Sequence, residues 1–465
     1  MGSPRSSGGV PVYVMLPLDT VSRDGQLQRP DELAERMSRL KRAGVEGVMV
    51  DVWWGIVERD GPLLYDWAAY LDLAGLANRI GLRLHAVLSF HSCGANRDDD
   101  YHVPLPRWVT DAVARDPDGL LFADRAGTKS DEYLSLWADE APMMIMDGTA
   151  EAARMEHAPP RTPLECYRDF MVSFKGAFAE ILGSVVTEVL VGCGPCGELR
   201  YPAYAASRGW EFPGVGEFQC YDRRALESLR AAAVNAGRPE WGAAGPHDAG
   251  TYNSHPDDTG FFSNGKGRIR SPNGRWDSDY GRFFLGWYSQ ELVAHGDRVM
   301  GAAADVFNGT GARLALKCAG IHWWYRTRSH AAELTTGGGN GVPGYDGIMA
   351  MCRRRGVGVT FTCAEMSDGE HPPEMRCGPE GLLRQVVAAA DRHGVEISAE
   401  NALYRCDSGA YKQMVRNSMG LSGDGGGGMH SFTFLRLCDS LMEPDNFAQF
   451  ETFVRDMSGD SAGGR

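Results

Sequence analysis

The chain has 465 residues, 43% hydrophobic and 23% charged, a globular balance that excludes wholesale disorder. Lysine and arginine total 47 against 61 acidic residues, a formal net charge of −14. That charge opposes a nucleic-acid or anionic-membrane partner, whose phosphates would be repelled. No stretch approaches the ~18 apolar residues of a membrane span. The 11 cysteines are an odd number spread thinly, which points to reduced thiols and an intracellular compartment.

Residues 1–9 read as a disordered tail, 10–458 as one domain and 459–465 as a second tail. Along that domain, apolar runs cover 12–18, 48–54, 82–90, 186–192, 314–320, 357–363, 395–399 and 432–438. They are Val-rich and mostly continuous rather than alternating, the pattern of parallel strands buried on both faces. Helical signals fall between them. Pro30 suits a first helical position, with Leu33, Met37 and Leu40 on one face and Gly44 as a stop. Asp66 opens a second helix that Gly81 ends. Thr162-Pro163-Leu164-Glu165 reads as a capping box before Phe170, Phe174, Phe178 and Ile181. Segments 264–279 and 337–347 read as loops, and Pro379 and Gly394 bracket a further helix. Five of the seven intervals between run starts suit one strand-plus-helix unit. The other two, Leu82 to Val186 and Val186 to Leu314, suit units with large insertions. The expected fold is α/β, a single-domain (β/α)8 barrel with long βα loops, with an open doubly wound sheet as the alternative.

In such a barrel the site lies at the C-terminal ends of the strands. Four expected strands deliver a carboxylate there or shortly beyond: Asp51, Glu198, Glu365 and Glu400. Converging acids raise one another's pKa, so one carboxyl stays protonated beside an ionised one. Glycosidic bond hydrolysis needs that division: an acid for the leaving oxygen, and a base or nucleophile on the other face. The plainer reading of any one of them is a solvated or Arg-paired strand end. Trp53, Trp54, Phe90, Trp323, Trp324 and Tyr325 fall in the same places, where flat aromatics suit the C–H faces of sugar rings; Trp67 and one of each Trp pair read as packing. Lys317 near a strand end is either salt-bridged to a barrel carboxylate or in contact with ligand. His91 reads equally as a core histidine.

Three motifs carry less. Cys193-Gly194-Pro195-Cys196 has redox spacing but lies in a strand-to-loop turn. His91 and Cys93 form a lone pair, with no second metal motif. The glycine run 425–428 lacks the lysine and hydroxyl of a phosphate loop.

Longer motifs resemble one family. Gly192-Cys193-Gly194-Pro195-Cys196-Gly197-Glu198-Leu199-Arg200-Tyr201-Pro202, Phe90-His91-Ser92-Cys93-Gly94-Ala95-Asn96 and Glu400-Asn401-Ala402-Leu403 resemble the plant-type β-amylases. So do Val48-Met49-Val50-Asp51-Val52-Trp53-Trp54-Gly55, Trp210-Glu211-Phe212-Pro213 and Gly320-Ile321-His322-Trp323-Trp324-Tyr325. The resemblance runs from about Val12 to Met457. It implies a (β/α)8 enzyme that cuts α-1,4-glucan (starch, maltodextrin) from non-reducing ends and releases maltose with inversion. By motif position Glu198 is the general acid and Glu400 the general base, and inverting pairs stand roughly 6.5–9.5 Å apart to admit a water. Thr362 matches the residue that stabilises the acid after proton loss. Asp51, His91, Asp99, Lys317, His322, Asn401, Ala402 and Arg436 match sugar-binding positions, with Trp323 and Glu365 as neighbours. No metal or organic cofactor is implied. A starch substrate favours the plastid, with the cytoplasm as the alternative.

The chain also departs from that family. Its lid segment reads Gly94-Ala95-Asn96-Arg97-Asp98-Asp99, poorer in glycine and more charged, which predicts slow turnover that glycines at Ala95 and Asp98 would relieve. Gly337-Gly338-Gly339-Asn340 lacks two aromatics, an insertion lengthens 148–160, and Ala399 replaces a glycine before Glu400. Cys193 and Cys196 replace small or apolar residues. These departures keep two alternatives open: a weak or inactive relative that binds glucan or regulates starch breakdown, and a retaining glycosidase.

Overall fold

The computed structural model describes residues 9–94, 99–143, 160–263, 274–338, 345–420 and 428–459. Eight strands close into a parallel barrel: β1 Val12–Met15, β2 Gly47–Trp53, β3 Arg83–Ser89, β4 Val186–Val191, β5 Arg313–Cys318, β6 Gly358–Phe361, β7 Ile397–Glu400 and β8 Phe432–Phe434. Each pairs with the next, and β8 returns to β1 through Val12↔Phe432 and Val14↔Phe434. The expected single-domain (β/α)8 architecture is therefore the one observed. Among the described residues no helix is long and apolar enough to cross a membrane.

Several apolar runs extend beyond their strands, because the chain leaves the ladder for other acceptors. After β8, Leu435 N donates to the Asn401 side chain and Leu437 N to Met15 O. After β6, Thr362 N donates to Cys318 O and Ala364 N to Glu400 O. These departures form the rim of the site.

The two-residue period of a strand stacks the barrel interior in layers. Met15, Met49, Val87, Leu190 and Ala315 form a small apolar cluster of their own. Two residues earlier on the same strands stand Tyr13, Gly47, His85, Glu188 and Arg313. There Tyr13 stacks on His85 with centroids 3.6 Å apart, and Arg313 pairs with Glu188. Two residues later stand Asp51, Ser89 and Lys317. An apolar plug thus separates a lower polar layer from an upper one that holds the predicted site residues Asp51 and Lys317. The alternate β2 residues Val48, Val50 and Val52 join the larger core between strands and helices.

The expected helices form. Pro30–Arg42 buries Leu33, Met37 and Leu40. Asp66 accepts from Ala68 N at the start of Ala68–Ile80. Thr162 and Glu165 complete a reciprocal capping box on Pro163–Ala177, with bonds of 3.2 and 2.8 Å. Pro379–His393 ends at Gly394, φ 64°. The two long intervals contain elements the periodicity did not reveal. One holds an antiparallel hairpin, Leu121–Ala123 with Lys129–Leu134, and the other the helix Asp279–Phe307.

The tails fall almost wholly outside the described residues; Gly9 and Gly459 are described and lie beside each other. Residues 95–98 of the lid segment, 148–159 of the insertion, 339–344 and 425–427 also lie outside them.

Candidate active site

Lys317 is the centre of the upper layer. It points inward from β5 two positions above Ala315, 6% exposed. Its Nζ lies 3.0 Å from Glu400 Oε1 and 2.9 Å from Glu400 Oε2. Burial works against the ammonium, yet Glu400, Asp51 and Glu198 together outweigh it and hold the lysine above its ordinary pKa. Both sequence-level readings of this residue thus concern one place, since the salt bridge lies among the predicted site residues.

Glu400 closes β7 and is 3% exposed. Burial raises its pKa first, with Glu198 and Asp51 adding to the rise and Lys317 opposing it. Asp51 is likewise raised, by burial before anything else, against Lys317, Arg436 and a 2.9 Å hydrogen bond from Ser89 Oγ. Desolvation is therefore the main cause, and repulsion among the acids, the cause expected from sequence, is secondary.

Glu198 follows β4 after a tight turn, Pro195–Gly197. Gly194 is required there, because a Cβ would stand 2.5 Å from Glu198 O and 2.8 Å from Arg200 O. Cys196 takes a left-handed conformation, φ 54°, and its N donates to Glu132 Oε1 at 3.0 Å. Glu198 Oε2 accepts from Arg200 Nε at 2.7 Å, and Oε1 accepts from Thr362 Oγ1 at 3.1 Å. Thr362 Oγ1 in turn accepts from Gly320 N at 3.0 Å. Gly320 is also obligatory: a Cβ would meet Cys363 Cβ at 2.4 Å. Leu199 N donates to Lys317 O at 2.8 Å, which ties this segment to β5. The two glutamates are thus held by different partners around one shared lysine.

The remaining predicted residues form the rim. His91 and His322 are buried, and burial lowers both pKa values to about 3. The His91 ring meets Trp53 edge-on at 5.3 Å. His322 stands among Phe212, Trp323 and His371. Asp99 Oδ2 accepts from Gly94 N at 3.1 Å, and its charge reaches Asp51. Asn401 is fully buried; its amide donates to Leu403 O and Leu435 O and accepts from Leu435 N, so it pins the turn that carries Arg436. Arg436 Nη1 reaches Leu16 O at 3.4 Å. Ala402 N and Leu403 N donate to the two oxygens of Glu365 at 3.0 and 2.8 Å, so Glu365 anchors the loop after β7. Trp54 and Phe90 are core, packed with Trp108 and Tyr167.

Sequence reasoning missed Arg200, Glu132 and Phe212. Arg200 had a local signal, lying two residues past Glu198. Glu132 had none, because the hairpin brings it to Cys196 from 64 residues away.

The sequence matches the model of glycosyl hydrolase family 14 over residues 13–463. The chain belongs to that family. It is 46% identical over 462 residues to β-amylase 2, chloroplastic, of Oryza sativa subsp. japonica, covering 98% of this chain and 78% of the relative. It is 48% identical over 455 residues to β-amylase 1, chloroplastic, of the same plant, covering 97% and 81%. The solved catalytic domain of a β-amylase from Paenibacillus polymyxa matches with a TM-score of 0.76 at 27% identity, covering 96% of this chain and 98% of that one. In this family 14 chain, buried carboxylates, a buried lysine and an aromatic rim thus share one end of the barrel.

Proposed function

We propose that Glu198 is the general acid and Glu400 the general base of an inverting hydrolysis. The chain is a β-amylase: it hydrolyses α-1,4-glucosidic bonds in starch and related glucans and releases maltose. The observation that carries the residue assignment is the shared Lys317, bonded to Glu400 and within electrostatic reach of Glu198.

Glu198 gives its proton to the leaving glycosidic oxygen. The carboxylate it becomes is received by the Arg200 guanidinium and the Thr362 hydroxyl, which already stand at 2.7 and 3.1 Å, so leaving-group departure is assisted. Glu400 takes a proton from the attacking water. Its raised pKa makes it the stronger base, and Lys317 keeps it ionised for that task. Inversion needs room for that water between acid and base. Asp51, His91, Asp99, His322, Ala402 and Arg436 contact the sugar, while Asn401 positions the Arg436 turn; Phe212 and Trp323 offer flat faces to the rings.

The plastid is the compartment of this reading, since both rice relatives are chloroplastic β-amylases and starch is the substrate. A weak or non-catalytic glucan binder is not favoured, because the acid, the base and their polar partners are all present.

The test is maltose release from soluble starch by Glu198→Gln and Glu400→Gln. Each is expected to lose on the order of 10²–10⁴-fold in rate while still binding maltodextrin. NMR of the fresh product should show the β anomer. Near-full activity in either variant would remove its assignment, and an α product would remove inversion.

A further inference from the structure

The loops after β5 and β6 bring together two histidines and a thiol. One ring nitrogen of His322, one of His371 and Cys377 Sγ all lie within 4.8 Å of one another. The two rings stack, centroids 5.1 Å and planes 14° apart. His322 Nδ1 and His371 Nε2 are shielded from solvent and meet no hydrogen-bond partner among the described residues. Such nitrogens are costly to bury unpaired. Cys377 is 5% exposed, its Sγ 3.8 Å from Met375 O.

The backbone that carries these groups is held in place without any ligand. Gly378 N donates to His322 O at 2.9 Å, Trp324 N to Met375 O at 3.1 Å, and Arg326 N to Arg376 O at 2.9 Å. The turn bearing Cys377 is thereby stitched to the segment bearing His322. The Phe212 ring lies 5.1 Å from His371 and 5.9 Å from His322, so the cluster borders the aromatic rim.

We propose that His322, His371 and Cys377 form a site for a zinc-class divalent cation, and that its occupancy withdraws His322 from glucan and inhibits hydrolysis. Two imidazoles and a thiolate suit a borderline-soft ion, whereas calcium or magnesium would require oxygen ligands. Zinc bonds of about 2.0–2.1 Å to nitrogen and about 2.3 Å to sulfur set tetrahedral donors roughly 3.3–3.6 Å apart. Side-chain rotation closes the remaining gap. The Cys377 thiol proton passes to solvent as the Zn–S bond forms, and three protein donors leave a fourth position for water.

The inhibition rests on His322 as a sugar contact; the binding does not. The full chain, stripped of metal and kept reduced, is titrated with zinc chloride against a chromophoric zinc indicator, and maltose release is followed at each addition. One zinc per chain is expected, with affinity weakened by about tenfold or more in His371→Gln and in Cys377→Ser. Inhibition should track bound zinc and shift equally in both variants, while their zinc-free activity matches the parent's. His371→Gln leaves every cysteine in place, so unchanged zinc binding and inhibition in that variant would assign the effect to other thiols and overturn the site. A parent chain that binds no zinc would overturn it as well. Zinc held through His371 and Cys377 with maltose release unaffected would uphold the cation site and remove His322 from the glucan contacts.

Discussion

At Lys317 a single ammonium meets two opposing demands. Burial disfavours its charge, yet the same burial raises Glu400 and so threatens the ionisation a base must have. The pair resolves both: each charge makes the other tolerable, at 2.9–3.0 Å. Removing the ammonium leaves the desolvation of Glu400 unopposed, so its pKa rises further and the carboxylate form appears only at higher pH. Lys317→Met should therefore move the acid limb of the kcat/KM profile upward by about one to three pH units and reduce the rate at the parent's optimum. A profile displaced downward, or unmoved, would show that Glu400 does not govern that limb. Part of this was legible in the sequence, because Asp51 and Lys317 interrupt apolar runs while Glu198 and Glu400 follow them. The partners that tune them were less so: Thr362, which reaches Glu198 across 164 residues, was named only through the family resemblance.

Among the elements, strands were more legible than helices and hairpins. The barrel strands announce themselves because burial on both faces demands unbroken Val-rich runs. The helix Asp279–Phe307 does not, since it buries residues all round, from Tyr280 and Trp287 to His295 and Met300, and shows no single stripe. The hairpin was missed because Leu121–Ala123 is three residues long. Caps were the clearest local signal. Thr162→Ala breaks the reciprocal pair with Glu165 and should lower stability by about 1 kcal/mol, read as a lower thermal midpoint that Thr162→Ser largely restores. Equal midpoints for all three proteins would mean that the helix start is fixed by packing alone. The histidine–thiol cluster had no sequence signature, because its members stand on two loops with no metal-motif spacing.

For the whole molecule, a net charge of −14 meets a substrate with no charge. Long-range steering then has nothing to act on, and salt has nothing to screen. kcat/KM on soluble starch should vary by less than about twofold between roughly 20 and 200 mM sodium chloride; a tenfold fall would show that a charged feature of the polymer or the mouth controls encounter.

The plug of Met15, Met49, Val87, Leu190 and Ala315 beneath the carboxylates has a consequence for traffic. With those side chains packed across the bore, the barrel is closed below the carboxylates. Substrate and product therefore reach them from one side only, the end at which the strands finish.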